Sequence, residues 1–586
     1  MEPGLEERRN GDGDLERAGV DRVAGMAPSP GTNNASLPTA ALARVTGKKE
    51  AWTRIGARER GSLMTRCIDG VLGIANAWVA AASEAKGHAP GSVGAGEERL
   101  SGPLVTARYL RLLAESLRAG GRPRLGPVTN APGRRARVRV FPLTMLDRLT
   151  YPGLTADVWL SPGAEPTQGR IYHAPEQGGG EVALVLGAGN VSSIPPLDAL
   201  GQLAIEGRVC IVKMNPVNAY LRPFFETAFA PLIEPGFLAF VDGEGPVGAA
   251  LCANPAIDTV HLTGSAATHD RIVWGATPDE RTRRRALLDP VLTKPVTSEL
   301  GAVTPVIVVP GRWTPHEIAF QARHVASMIT HNASFNCNAA QLLVVAREWP
   351  QRAAFVDAVR TALARTPERR AYYPGSRARY ERFREQYPAA QSLTPGADGN
   401  VPWTLIDDVA PDPAELLLCE EAFCGLLGVV ALDSPHGADP AKFMDAAIPF
   451  VNQDVAGTLS CALLIDPRTE RAIRDHLATR LSDLRYGAIG INVWPGIVFA
   501  LGATSWGAFP GHRLDDIGSG IGVVHNALML DHPERSVAHA PFRITPTPPW
   551  FADHQNLDAL AKKALAFEAR PRWWRYPSLA ASALRG

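Results

Sequence analysis

Between Glu181 and Ser265 the apolar residues fall into short runs, each separated from the next by a segment with helical spacing. EVALVLGAG, RVCIVKMNP, GFLAFVDGEG and DTVHLTGS are short and continuously apolar, so they predict buried strands. A stretch from about Ser193 to Glu206, then AYLRPFFETAFAPLI and VGAALCANP, read as the helices between them. This alternation predicts βαβ units, hence a parallel sheet with helices on both faces. Ligands of such sheets sit at the carboxyl ends of the strands. Here those ends carry Gly, Asn, Lys and Ser.

A second α/β region follows. TPVIVVP, AAQLLVVA, EEAFCGLLGVVAL and TLSCALLID predict strands, and PHEIAFQARHVASMI and RAAFVDAVRTALAR predict helices. A polar Arg/Tyr-rich stretch from Tyr372 to Gln386 interrupts them, and IGINVWPG and GSGIGVVHN close the region. Ahead of the first region, Ala51 to Leu117 is helical in pattern, with a glycine stop at Gly120. ARVRVFPLTMLDRLTYPGLTADVWLSPG alternates at a period of two and predicts strands or a hairpin. Residues 1–45 lack an apolar period and are expected to form a disordered tail. The end of the chain, with RWWR, is expected to pack as a tail.

Composition narrows the class. Apolar residues make up 45% and charged residues 20% of 586, which excludes a fibrous or wholly disordered chain. Lys+Arg is 60 and Asp+Glu 59, a net charge of +1, so no global field draws in nucleic acid or an anionic membrane. No apolar run approaches a membrane span, and the charged N-terminus does not read as a signal peptide. Seven cysteines without regular spacing predict reduced thiols and a cytoplasmic location.

Few residues stand out for chemistry. Cys337, in HNASFNCNAAQLLVV, sits in a small, polar, loop-like context where backbone N–H groups can stabilise a thiolate. Read alone, it is equally a chance loop cysteine. Glu299, in TSELGAV, is either a solvated turn residue or a general base. Asn190, at the end of GAGN, is either a helix cap or a donor to an oxyanion. Gly264 and Ser265 open a helix whose free N–H groups suit a phosphate. The full GxGxxG fingerprint is missing, and neither a GxSxG elbow nor a P-loop occurs. No cluster has metal-ligand spacing, so no metal is expected, and Cys419 and Cys424 read as core.

Taken in order, these segments resemble the aldehyde dehydrogenase superfamily from about Val182 to about Val524. GAGN is similar to the strand end that carries the family's oxyanion-hole Asn, which falls on Asn190. IVKMNP resembles Lys-Pro-x-Glu and places the adenosine-ribose lysine at Lys213. HLTGS resembles Phe-Thr-Gly-Ser and places Gly264 and Ser265 at the cofactor diphosphate. SELG resembles Glu-Leu-Gly-Gly and puts the general base on Glu299. NASFNCNAAQLLV resembles Asn-x-Gly-Gln-x-Cys and puts the nucleophile on Cys337. EEAFCG resembles Glu-Glu-x-Phe-Gly-Pro, which assigns Glu421 to the nicotinamide ribose and Phe423 to the ring.

The chain also departs from the pattern. Ser334, Phe335 and Asn336 replace the residues before the nucleophile, and Pro216 stands where a ribose-binding carboxylate is expected. His269 stands at the turn's second glycine, and Cys424–Gly425 replaces Gly-Pro.

The resemblance implies a Rossmann-like dinucleotide-binding domain, an α/β catalytic domain and a small β oligomerisation element. The corresponding division is 46–295 for the first, with a hairpin within about 135–175, then 296–525, then 526–586 with an oligomerisation strand and tail. It implies NAD(P)-dependent oxidation of an aldehyde through a cysteine thiohemiacetal and thioester, with NAD or NADP as cofactor. It also implies a homodimer or homotetramer, in which a strand near Ser536 to Arg543 pairs with the hairpin of a neighbouring chain. Two other readings are an acyl-CoA-linked enzyme and a non-catalytic dinucleotide-binding or structural protein. Glu299 speaks against the first, because acylating relatives lack it. Joint retention of Asn190, Glu299 and Cys337 speaks against the second.

Overall fold

The computed structural model describes residues 36–173, 179–397, 399–434 and 437–586. The four apolar runs form the parallel strands Val182–Leu186, Val209–Lys213, Leu238–Val241 and Thr259–Gly264. Val296–Leu300 adds a fifth parallel strand beside Thr259–Gly264, and Gly520–Ile521 pairs antiparallel with its outer edge. The sequence division placed Val296–Leu300 and Gly520–Ile521 in the second unit, but hydrogen bonding puts both in the first sheet. Spatial order runs outward both ways from Val182–Leu186, so the chain reverses direction across the sheet beside that strand. A crevice opens at such a reversal, outside the strand ends.

The second sheet has 11 strands. Its centre is parallel: Ala488–Ile491, Ser460–Leu464, Thr304–Val308, Ala340–Ala346, Leu426–Leu432 and Thr404–Ile406 lie side by side. Every residue of Thr304–Val308, Ala340–Ala346 and Leu426–Leu432 is buried, which accounts for their unbroken apolar runs.

The period-two segment forms the antiparallel pair Arg135–Phe141 and Thr155–Leu160, as expected. A short helix, Met145–Thr150, lies between them, started by a reciprocal Thr144/Asp147 cap that the strand pattern concealed. The expected pairing with a neighbouring chain is corrected. Pro533–His539 lies between Thr155–Leu160 and Ala488–Ile491 of the same chain, so both its edges are used internally. Alternate residues of that strand face a core on each side, which favours closure within one chain. The open ends of the sheet are Val128–Ala131, with three of its four residues exposed, and the two-residue strand Gln391–Ser392.

The tail expectation is also corrected. Residues 1–35 lie outside the described residues, but Ser36–Thr46 is a helix. Leu42 and Val45, three apart on its surface, are buried against the first sheet. The Arg/Tyr-rich stretch likewise contains a helix, Ser376–Gln386, which buries Tyr380 and Phe383.

The long helix Ala57–Lys86 packs against Val105–Arg118 and buries Met64, Cys67, Val71 and Trp78, the last edge-on against Phe225. Fully burying each such side chain contributes about 1.5–3 kcal/mol. The helix stops at Lys86 because Gly87 turns left-handed, with φ +73°. The C-terminal helix Leu557–Ala569 docks on Val93–Arg99. Its Asp558 meets Arg99 at 3.1 Å, and its Glu568 meets Arg108 at 2.5 Å and accepts from Tyr151 at 2.7 Å. Beyond it, Trp573 and Trp574 are 57% and 73% exposed, so the RWWR segment does not pack as expected.

Candidate functional site

A cleft of about 1370 Å³ runs between the carboxyl ends of the first sheet and the second sheet. Every residue singled out from the sequence lines it: Asn190, Lys213, Gly264, Ser265, Glu299, Cys337, Glu421 and Phe423. They come from both sheets, so the fold itself brings them together.

At one end, Lys213 closes its strand, near Asp242 and Glu244. Partial burial pulls its pKa below the ordinary lysine value, against the attraction of Glu244 and Asp242. Next along the cleft, Gly264 ends its strand and Ser265 caps the helix Ala266–Trp274, its Oγ accepting from Thr268 N–H at 3.2 Å. The cleft is also lined by Ala266 and Ala267 at the start of that helix, whose end carries positive dipole charge.

At the other end lies Cys337. It follows a turn in which Asn332, Ala333 and Ser334 all have positive φ, 53°, 56° and 70°. Its thiol lies beside the Glu299 carboxyl, and the Trp506 indole faces the same carboxyl. Part of Cys337 opens on the cleft, yet its sulfur is enclosed by protein. Burial, then Glu299, then Glu421, hold the thiol well above its ordinary pKa. The sequence reading expected a stabilised thiolate, and the site instead holds a protonated thiol beside a base. Burial first, and after it the two neighbouring carboxyl groups, all invisible in the local sequence, cause the difference.

Glu299 is 3% exposed. Burial raises its pKa to about 7, opposed by the nearby polar groups of Cys337 and Trp506 and assisted by the charge of Asp198. Glu421 is pushed to about 8 by burial and by Glu299, against Arg379 and the Ala302 N–H. Its carboxylate lies on the bare Cα of Gly301, where a methyl group would overlap it. Phe423 packs with Tyr373 and Phe335, at centroid distances of 5.1 and 5.5 Å, and Arg379 lies over its ring at 5.6 Å.

Asn190 donates from Nδ2 to the Phe335 carbonyl at 3.0 Å, which places its amide beside the Cys337 loop. Sequence reasoning missed Arg379 and Tyr373, which line the cleft from the interrupting segment. It also misjudged Cys419, which is exposed and lines the cleft, whereas Cys424 is buried as expected. Among the described residues no group of His, Cys, Asp and Glu is arranged to hold a metal ion, and no helix is long and apolar enough to cross a membrane. A thiol with an adjacent base, an amide donor and an adjoining cleft can attack a carbonyl and stabilise the resulting oxyanion.

The model of the aldehyde dehydrogenase family matches residues 190–373. Betaine aldehyde dehydrogenase (chloroplastic) of Beta vulgaris is 40% identical over 77 residues, which is 13% of each chain. Among solved structures, the NAD-dependent aldehyde dehydrogenase of Sinorhizobium meliloti superposes with a TM-score of 0.59 at 16% identity, covering 87% of this chain and 88% of its own. The NADP-dependent glyceraldehyde-3-phosphate dehydrogenase of Bacillus halodurans C-125, complexed with NADP, gives 0.56 at 16% identity, covering 86% and 91%. These likenesses establish the fold.

Proposed function

We propose that this chain, which belongs to the aldehyde dehydrogenase superfamily, oxidises an aldehyde to a carboxylic acid with NAD or NADP as the electron acceptor. The observation that carries the proposal is the Cys337 thiol beside the Glu299 carboxyl, both lining a cleft of about 1370 Å³.

The residues present fit such a cofactor. Lys213 stands where an adenosine ribose needs a donor, and the start of the helix Ala266–Trp274, with Gly264 and Ser265, suits a diphosphate. Glu421 offers a carboxylate to a ribose hydroxyl, and Phe423 offers a ring face beside the sulfur.

The chain's own groups then divide the work. Glu299 takes the Cys337 proton as sulfur bonds to the aldehyde carbon. The charge that develops on oxygen meets the Asn190 amide and the Cys337 backbone N–H. When bound, the nicotinamide cofactor supplies the hydride acceptor that turns the thiohemiacetal into a thioester. Glu299 releases the Cys337 proton to solvent and, ionised again, takes a proton from water as the water oxygen bonds to the acyl carbon. The carbon–sulfur bond breaks, the acid leaves and the departing sulfur takes the proton back from Glu299, which restores the thiol. Glu299 beside the sulfur favours water over coenzyme A as the acyl acceptor.

The proposal extends to a cytoplasmic enzyme, consistent with seven free cysteines, and to a homodimer or homotetramer associating through the open sheet end at Val128–Ala131. The test of function is the near-ultraviolet absorbance of reduced nicotinamide across aldehydes varied in chain length and aromaticity. Cofactor-dependent reduction with at least one class is expected. Absence of reduction with all of them overturns the reading.

A further inference from the structure

Behind Asn190, on the side away from the cleft, lies a buried set of charges that the proposed chemistry does not use. Lys86, at the end of its helix, is 4% exposed. Its ammonium donates to Glu98 Oε1 at 2.5 Å, to the Asn190 carbonyl at 3.1 Å and to Asn332 Oδ1 at 3.0 Å. The Tyr372 hydroxyl lies within hydrogen-bond distance of the same two acceptors, the Asn190 carbonyl at 2.9 Å and Asn332 Oδ1 at 3.0 Å, and its single proton is shared between them. Asn332 Nδ2 gives a third hydrogen bond to the Asn190 carbonyl at 3.1 Å, and one to the Phe335 carbonyl at 3.0 Å. Asn190 itself donates to that Phe335 carbonyl.

The charges are balanced from separate segments. Glu98 is met by Lys86. Glu97 is met by both Arg369 nitrogens, at 2.6 and 2.7 Å, and accepts from the Asn332 N–H at 3.1 Å. Three stretches far apart in sequence, 86–98, 332–335 and 369–372, therefore converge on one peptide carbonyl. A carbonyl with three donors cannot rotate without breaking several bonds in a medium where their loss is costly. The adjoining turn is the left-handed one at Asn332–Ser334, which non-glycine residues adopt only when their surroundings impose it.

We infer that Lys86 and Tyr372 are positioning residues, which set the Asn190 amide and the Cys337 loop in mutual register so that the amide meets an oxyanion formed on the Cys337 adduct. The inference rests on the reading of Cys337 as nucleophile and Asn190 as oxyanion donor. Neither Lys86 nor Tyr372 lines the cleft.

The test compares two reactions of the same sulfur. Acylation by p-nitrophenyl acetate passes through an oxyanion: the sulfur–carbon bond forms, p-nitrophenolate leaves and the thiol proton goes to Glu299. Alkylation by iodoacetamide forms a sulfur–carbon bond with loss of iodide and no oxyanion. Neither reaction needs a dinucleotide or an aldehyde. Tyr372→Phe removes one donor and keeps the ring. It is expected to slow the p-nitrophenolate burst about tenfold, well short of the loss of a whole oxyanion donor, and to leave alkylation of Cys337 within about twofold of wild type. Lys86→Arg, which keeps the charge against Glu98 but alters its reach, is expected to behave alike. Unchanged acylation in both variants overturns the inference, as does an equal slowing of both reactions, or a wild-type protein that is not acylated at Cys337. An acylated wild type that shows this discrimination yet oxidises no aldehyde overturns the proposed substrate instead.

Discussion

The thiol of Cys337 and the carboxyl of Glu299 lie side by side in surroundings that favour the protonated form of both. The sulfur cannot ionise into solvent. Its proton must pass to Glu299, so the pair is one acid–base unit, and it titrates as a pair.

From this pairing, Cys337→Ala is expected to abolish aldehyde oxidation while dinucleotide affinity stays within about twofold, because the cofactor contacts lie on other elements. Fluorescence titration with NADH checks the second half. Glu299→Gln tests both roles of that carboxyl. It is expected to slow the burst of reduced cofactor as well as steady turnover, since the same group takes the thiol proton before hydride loss and activates water after it. A burst of about one equivalent at the wild-type rate, followed by slow turnover, confines Glu299 to the water step.

The pH dependence has a worked sign. Glu299, with its pKa raised to about 7, must be ionised to act as a base, so kcat is expected to rise with pH through about 7. Stability runs the other way. Glu299 and Glu421 hold protons in the folded state over a range, from the ordinary value of 4.5 up to about 7 and 8, where the unfolded chain has released them. Their contribution to stability is therefore present below about pH 4.5 and is lost as pH rises toward 8. Glu421→Gln removes one such group. Its melting temperature, relative to wild type, is expected to increase as pH is raised from 5 to 8.

Gly301 has a steric reason to be glycine that bears directly on the cleft. Gly301→Ala places a methyl group against the Glu421 carboxylate. It is expected to destabilise the fold by about 1–3 kcal/mol, as overpacking does, and to weaken cofactor binding by displacing Glu421. Differential scanning calorimetry and a cofactor titration read the two effects separately.

At the far end of the cleft, Pro216 offers no carboxylate to the adenosine ribose, and NADP is expected to serve within about tenfold of NAD, about 1.4 kcal/mol. The structure adds Glu244 beside Lys213. Glu244→Gln is expected to move the preference toward NADP by removing a charge that repels a 2′-phosphate, and Lys213→Ala to weaken both cofactors. Steady-state kinetics with each dinucleotide decide these points. A preference for NAD of several hundredfold in the wild type refutes the first.

Much of this site was legible because its parts sit in local contexts. A strand end, a glycine turn and a polar loop each leave a mark within ten residues, and Asn190, Gly264, Ser265, Glu299 and Cys337 all do so. The parallel strands were legible for the same reason. What escaped was set by distance. Lys86 ends a helix as lysines commonly do, and only folding buries it against Asn190. Tyr372 and Arg379 lie in a stretch whose polarity conceals a helix. The destination of Pro533–His539 is a question of which partner it meets, and alternation alone does not name the partner.

The turn before Cys337 has a consequence for how this chain tolerates change. Asn332, Ala333 and Ser334 hold left-handed angles that glycine adopts freely, and each pays a steric penalty there. Glycine at Asn332 or Ser334 relieves that penalty but also deletes side-chain hydrogen bonds, those of Asn332 to the Asn190 and Phe335 carbonyls and that of Ser334 to the Cys424 carbonyl. Ala333 has only a methyl group to lose, so glycine there relieves the penalty at small cost in contacts while the sulfur samples more directions. Heat tolerance and reactivity therefore part company at Ala333, and a selection for one alone will find variants that fail the other.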